Sequence, residues 1–192
     1  MTLIVYKGVH STCLSQAESI SRVGIRPSPA GRAGAGAYLW AYDTDPTEAE
    51  ALARDWYQDS LVARDYDKYP KKSRVLLYFE IELGELEWLN VNSTWHHERI
   101  RVKAARAKDK ANISKAYDDH IEGIAKSRWE NRKILLKVVE SSLPVPMATR
   151  SRTSGTPLTV GADAYIVLPA GIPFLKLVSA VGMPLKGANN GQ

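Results

Sequence analysis

Tyr6-Lys7-Gly8-Val9-His10 and Gly34-Ala35-Gly36-Ala37-Tyr38-Leu39-Trp40 are the stretches on which the fold turns. The first closes an apolar strand, Leu3-Ile4-Val5-Tyr6, at a glycine, where a ligand or another backbone can come close. The second is a glycine-spaced loop that feeds a short aromatic strand. Asp45-Pro46-Thr47-Glu48 follows, with an N-cap, a first-turn proline and an N3 acid, and so starts a helix. Strand, helix, Arg/Gly/Pro loop, aromatic strand and capped helix fall within about sixty residues. That layout describes a cleft in which loops grip a polar ligand and an aromatic ring closes it.

Length and composition bound what surrounds the cleft. A chain of 192 residues buries one core and is expected to form one domain over residues 1–187, with residues 188–192 a frayed tail. Hydrophobic residues at 44% and charged residues at 24% are those of an ordinary globular protein. No apolar run approaches the roughly 20 residues that span a bilayer, so no membrane partner is expected. Met1 to Tyr6 lacks the basic start and small-residue cleavage site of a signal peptide and is taken as the first strand. The single cysteine, Cys13, excludes an internal disulfide, fits a reducing, cytoplasmic setting and cannot form a zinc site alone.

The net charge is +5 and the pI about 9.3. From Arg99 to Lys115 there are seven Lys/Arg against Asp109 alone, and Lys126, Arg128, Arg132, Lys133 and Lys137 continue the bias against Glu130. This is either a solvated helical face or an electrostatic footprint for nucleic acid or another polyanion.

In chain order, a strand over about residues 2–6 breaks at Gly8. Ser11 or Thr12 then caps a helix that stops at Gly24. The Pro- and Gly-rich loop from Ile25 to Gly36 carries Arg26 and Arg32, either of which can fork onto a phosphate. The helix from Asp45 runs to about Arg64 with Ala49, Leu52, Ala53 and Trp56 on one face. Arg74 to Gly84 is a long strand in which Phe79, Ile81 and Leu83 alternate with Glu80 and Glu82. Lys133 to Val139 is a further strand, and Ala148 to Pro157 a small-residue loop with Arg150 and Arg152. Asp163 to Pro169 and Phe174 to Val178 are the last two strands. Trp95-His96-His97-Glu98 invites a metal, but adjacent histidines diverge and no third and fourth ligands stand at useful spacing, so no metal is expected. His120, beside Asp118 and Asp119, is read as a surface histidine. A Cys13/His10 nucleophilic pair lacks an orienting Asn or Asp, and a lone cysteine is usually core.

Together these phrases resemble the ADP-ribosyltransferase superfamily, which includes poly-ADP-ribose polymerases, DNA-modifying toxins and bacterial or phage mono-ADP-ribosyltransferases. Tyr6-Lys7-Gly8 matches the family's first-strand phrase of an aromatic residue, His or Arg, and Gly. Gly34-Ala35-Gly36-Ala37-Tyr38 matches its Gly-x-Gly-x-Tyr phrase, and Glu48 to Tyr57 its alanine-rich helix. Tyr78 to Gly84 and Tyr165-Ile166-Val167-Leu168-Pro169, with Gly171 and Phe174 behind, match two later strands. The five phrases keep the family's order across nearly the whole chain.

The resemblance implies an α+β fold of two packed, mainly antiparallel sheets around an NAD cleft, with helices outside. It implies cleavage of NAD between nicotinamide and ribose, and transfer of ADP-ribose through an oxocarbenium-like transition state. Tyr6, Lys7, Gly8, His10, Arg26, Arg32, Gly36 and Tyr38 are the expected NAD contacts. Tyr38 stacks on nicotinamide, and Lys7, or His10 three residues on if the strand bends at Gly8, fixes the adenosine-side ribose. The late-strand carboxylate is missing, because Ala164 stands at its place. Three accounts are open: a deliberate Glu-to-Ala change at 164, catalysis by Asp163 through a bulge that re-aims it, or a silent domain that only binds.

The expected activity is therefore mono-ADP-ribosyl transfer to a macromolecule, with nucleic acid favoured slightly over protein and Arg150 and Arg152 contacting the acceptor. The setting is that of a toxin, effector or phage or defence factor, cytoplasmic or delivered into a target cell's cytoplasm, with an antitoxin or immunity protein as a possible partner. The alternatives are a noncatalytic nucleic-acid- or protein-binding module with a vestigial cleft, and an NAD glycohydrolase.

Overall fold

Strand β1 (Leu3–Cys13) pairs residue for residue with β3 (Arg74–Gly84), from Leu3 opposite Gly84 to Cys13 opposite Arg74. The first strand therefore does not break at Gly8. Its glycine serves close approach instead: a Cβ there would stand 2.6 Å from Leu39 Cβ and 3.3 Å from the Trp40 carbonyl oxygen on the strand alongside. The computed structural model that gives this arrangement describes residues 3–29, 35–105, 112–144 and 161–183.

Helix α1 (Leu14–Val23) begins at the end of β1, with Cys13 rather than Ser11 or Thr12 at its N-cap, and ends at Gly24 as expected. Strand β2 (Ala37–Tyr42) follows the glycine loop. Helix α2 (Thr47–Val62) opens where Asp45 Oδ1 accepts hydrogen bonds from the Thr47 backbone N–H at 3.0 Å and hydroxyl at 2.6 Å. After β3 come β4 (Trp88–Asn90), α3 (Thr94–Ala105) and α4 (Asn112–Arg132). The chain then adds β5 (Val138–Pro144), β6 (Gly161–Val167) and β7 (Lys176–Val181).

Besides the first strand, three strand bounds differ from expectation, and one of them, β6, lies at Gly161–Val167 rather than Asp163–Pro169. Lys133 to Lys137 is irregular and the strand starts at Val138, because only from there does the chain meet both β4 and β6. The last strand lies at Lys176–Val181 rather than 174–178, displaced by a 3-10 turn at Ile172–Phe174.

The architecture is α+β, but the strands form one seven-stranded sheet, β4-β5-β6-β2-β1-β3-β7, rather than two packed sheets. The reason lies in β1, which hydrogen-bonds to β3 on one side and to β2 on the other and so joins the halves edge to edge. All neighbours are antiparallel except β4 and β5. Each face carries a core. On one, Val9, Trp40, Leu76, Ala164 and Ile166 lie under Ala49, Leu52 and Ala53 of α2 and Ile121 of α4. On the other, Leu39, Leu77, Phe79, Ile81 and Val167 lie under Ala17 of α1 and Ile25. Val75, Leu76 and Leu77 are buried on both faces, and the alternation with Glu80 and Glu82 emerges only past the cover of α2.

Replacing Gly8 by Ala drives a Cβ into Leu39 Cβ, an atom fixed to the backbone that cannot swing aside. Gly8→Ala is expected to cost about 1–3 kcal/mol, read as a lower urea midpoint.

Candidate functional site: a cleft where the sheet parts

Strands β1 and β2 exchange only three residue pairs: Lys7 with Tyr42, Gly8 with Ala41 and Val9 with Trp40. Beyond Val9, β1 stays with β3 as far as Cys13, whereas β2, read back from Trp40 to Ala37, stays with β6. The sheet therefore parts between His10 and Tyr38. Across the gap His10 Nδ1 lies 3.1 Å from the Tyr38 carbonyl oxygen. A carbonyl only accepts, so Nδ1 carries the proton and Nε2 keeps its lone pair in the neutral ring. Burial pushes the His10 pKa below the ordinary imidazole value, against a smaller opposite pull from the Tyr38 carbonyl.

A cleft of about 650 Å³ opens onto this parting, within the size range of small-molecule sites. Ser15, Gln16 and Ser19 of α1 form one wall, Arg26, Ser28 and Gly36 the loop side, and Tyr38, Trp56 and Tyr69 the aromatic surfaces. Gly36 is pinned to Ser28 by two backbone hydrogen bonds of 2.9 and 3.0 Å, and a Cβ on it would meet Ile166 Cγ2 at 2.4 Å. Only glycine lets the loop lie this close to β6. Tyr69 is held by its hydroxyl, 2.7 Å from Gln16 Nε2, while Gln16 Oε1 accepts from the Thr12 hydroxyl. Trp56 meets Trp40 edge to face, ring centres 6.2 Å apart. A second cavity of about 40 Å³ shares His10, Tyr38, Trp56 and Leu143 with the large cleft and reaches Val9, Trp40 and Ala164. Among the described residues, Arg26 is the one charged side chain lining the cleft, and no carboxylate lines it.

The expected site residues divide accordingly. His10, Arg26, Gly36 and Tyr38 line the cleft, and Ala164 lines the smaller cavity that shares lining residues with it. Tyr6, Lys7 and Gly8 do not. Lys7 lies three residues from His10 on a strand, hence on the other face, opposite Tyr42 and Glu80. Tyr6 packs against Trp88 and Tyr165, ring centres 5.6 and 5.5 Å away.

Asp163 cannot substitute for residue 164, because β6 keeps an unbroken register with both β2 and β5 and has no bulge to re-aim it. Its Oδ1 instead accepts from the Ser142 hydroxyl at 2.7 Å and from Asn92 Nδ2 at 3.2 Å. Arg32, Arg150 and Arg152, like the tail after Gly187, lie outside the described residues. Gln16, Ser28, Trp56 and Tyr69 went unrecognised as lining residues. Trp56 carried only a helix-face signal, and the other three carried none.

Cys13 is fully buried against Tyr57 and Tyr66, a core position rather than a nucleophile's. His120 is buried, not on the surface, and its Nε2 lies 2.9 Å from His96 Nδ1. The basic stretch is thinned by local partners. Arg101 pairs with Glu98, Lys115 with Asp119 and Lys126 with Glu130, each on its own helix. Arg128 Nη1 donates to the Leu86 and Trp88 carbonyls. No helix among the described residues is long and apolar enough to cross a membrane.

Comparison of the chain with family models, with curated proteins and with solved structures finds no match.

A histidine whose folded pKa is depressed stabilises the fold above its unfolded value, near 6.5, and that contribution is lost as pH falls. The urea midpoint is therefore expected to fall more steeply between about pH 7 and pH 5 in the parent chain than in His10→Gln. The difference between the two chains isolates His10 from the other titrating groups, and equal slopes would assign the ring to solvent.

Proposed function

We propose that the chain is an ADP-ribosyltransferase domain whose cleft takes NAD and which has lost its acid at position 164. The supporting observation is that His10 of β1, Tyr38 of β2 and Ala164 of β6 line one small cavity at the parting of the sheet, and that His10 and Tyr38 also line the large cleft. Tyr38 and Ala164 stand where the resemblance calls for a nicotinamide stack and a carboxylate; it calls for the ribose contact at Lys7, which lies off the cleft, and His10 takes that part here. A neutral His10 accepts a ribose hydroxyl through Nε2, Tyr38 offers a ring face to the pyridinium, and Arg26 forks onto the diphosphate. Among the described residues the cleft is lined by one cation and no carboxylate, which suits an anionic ligand.

Ala164 can do nothing for a developing positive charge, so this chain holds NAD without turning it over at a transferase's rate. ADP-ribose goes to a macromolecule, nucleic acid or protein, once the acid is restored. A second reading, a noncatalytic module with a vestigial cleft, draws on the absence of any carboxylate among the described lining residues. The two part company at residue 164.

Calorimetry with NAD is expected to show binding to the parent chain, weakened about tenfold or more by Tyr38→Ala. Unchanged affinity in that variant would remove Tyr38 from the site. Ala164→Glu is expected to release nicotinamide and to pass label from adenine-labelled NAD to protein, RNA or DNA of a cell extract. Release without a labelled macromolecule would make it a glycohydrolase, and silence in both chains would favour the binding module.

A further inference from the structure

Ala35, Gly36 and Ala37 carry the chain from the glycine loop into β2, and their small side chains offer little surface by which packing could hold them. Hydrogen bonds take over that task. Gly36 exchanges two with Ser28, and Ala35 makes a third across 83 residues of sequence: its backbone N–H donates to Asp118 Oδ1 of α4 at 2.7 Å. A hydrogen bond to an ionised acceptor is roughly twice as strong as a neutral one, so this is the strongest of the three.

Asp118 stands on a rigid element. Tyr117, Ile121, Ile124 and Ala125 of α4 pack into the core that α2 also covers, while the neighbouring acid, Asp119, is engaged by Lys115 at 3.4 Å. Neither Asp118 nor Ala35 lines the cleft, yet the next three residues, Gly36, Ala37 and Tyr38, all do. The carboxylate therefore grips the chain at the last residue before the wall begins.

We propose that Asp118 is a positioning residue of the cleft: it fixes the Ala35 amide, and through it the wall from Gly36 to Tyr38, without touching the ligand. The proposal rests on the NAD reading for the identity of the ligand, but not for its geometry. Helix α4, which lies in the connection from β4 to its parallel neighbour β5, thereby serves the site from outside it.

Charge and position call for opposite effects, which separates them. A carboxylate near an anionic ligand repels it, so an Asp118 that acted only through its charge would bind NAD less tightly than either Asp118→Ala or Asp118→Asn. A positioning Asp118 needs only its acceptor. Calorimetry is expected to show NAD bound about tenfold more weakly by Asp118→Ala, and within about threefold of the parent by Asp118→Asn, whose side-chain oxygen accepts the same N–H. Hydrogen exchange at the Ala35 amide, followed by NMR without ligand, should quicken about tenfold in Asp118→Ala and stay near the parent rate in Asp118→Asn.

Tighter NAD binding by both variants overturns the proposal, as do equal losses in the two, or an Ala35 exchange rate indifferent to Asp118→Ala. If Asp118→Ala does not fold, the parent chain decides: in an acid titration the Ala35 amide proton should shift as a carboxylate protonates, and a proton that does not shift overturns the proposal. An exchange response in a chain that binds no NAD leaves the positioning role standing and overturns the transferase reading. NAD binding that Asp118→Ala leaves unchanged does the reverse.

Discussion

Everything at the cleft follows from where β1 stops pairing with β2. Antiparallel neighbours ordinarily run together until one of them ends, whereas here both continue for several residues after separating. Each is kept extended by its other neighbour, β3 for one and β6 for the other. The parting costs two rows of backbone hydrogen bonds, and the His10 ring returns one of them by donating to the Tyr38 carbonyl. The groups a ligand would meet thus lie on the two strand edges that no longer face each other across the β1–β2 seam.

Close backbone approach on either side makes the parting possible. Gly8 brings β1 against Leu39 just before the strands separate, and Gly36 brings the loop against Ile166 just beyond. Above them α2 sets Trp56 on Trp40, and the hydrogen bonds from Thr12 through Gln16 to Tyr69 tie α1 to the segment after α2. Rigid elements therefore carry the walls, and the ligand-facing side chains inherit their positions from the core.

Much of this was legible in the residues. The helix start at Asp45, the alternation of Phe79, Ile81 and Leu83, and the placing of Gly36 and Tyr38 beside a cleft all rest on local chemistry that tertiary context left alone. What was not legible depended on partners distant in sequence. A glycine inside an apolar run signals either a break or a close approach, and only β3 decides for the second at Gly8. Lys7 and His10 look interchangeable in a phrase, yet strand alternation sends them to opposite faces once β1 is known to run on. One sheet or two is a question of which edges pair, on which composition is silent. Helices α3 and α4 carry charge on most sides and little apolar period, so their stretch of chain offered no pattern to read.

Mechanically, the sheet is two leaves on a short hinge. One leaf, β1 with β3 and β7, is sewn by an eleven-residue seam; the other, β2 with β6, β5 and β4, has seven pairs between β5 and β6, four between β2 and β6 and three between β4 and β5. Between them run three stitches, at Lys7, Gly8 and Val9. Torque applied at the cleft acts on this short seam in the sheet's middle, where Val9 and Trp40 are buried. The joint that shapes the cleft is therefore also one of the two shortest seams of the sheet.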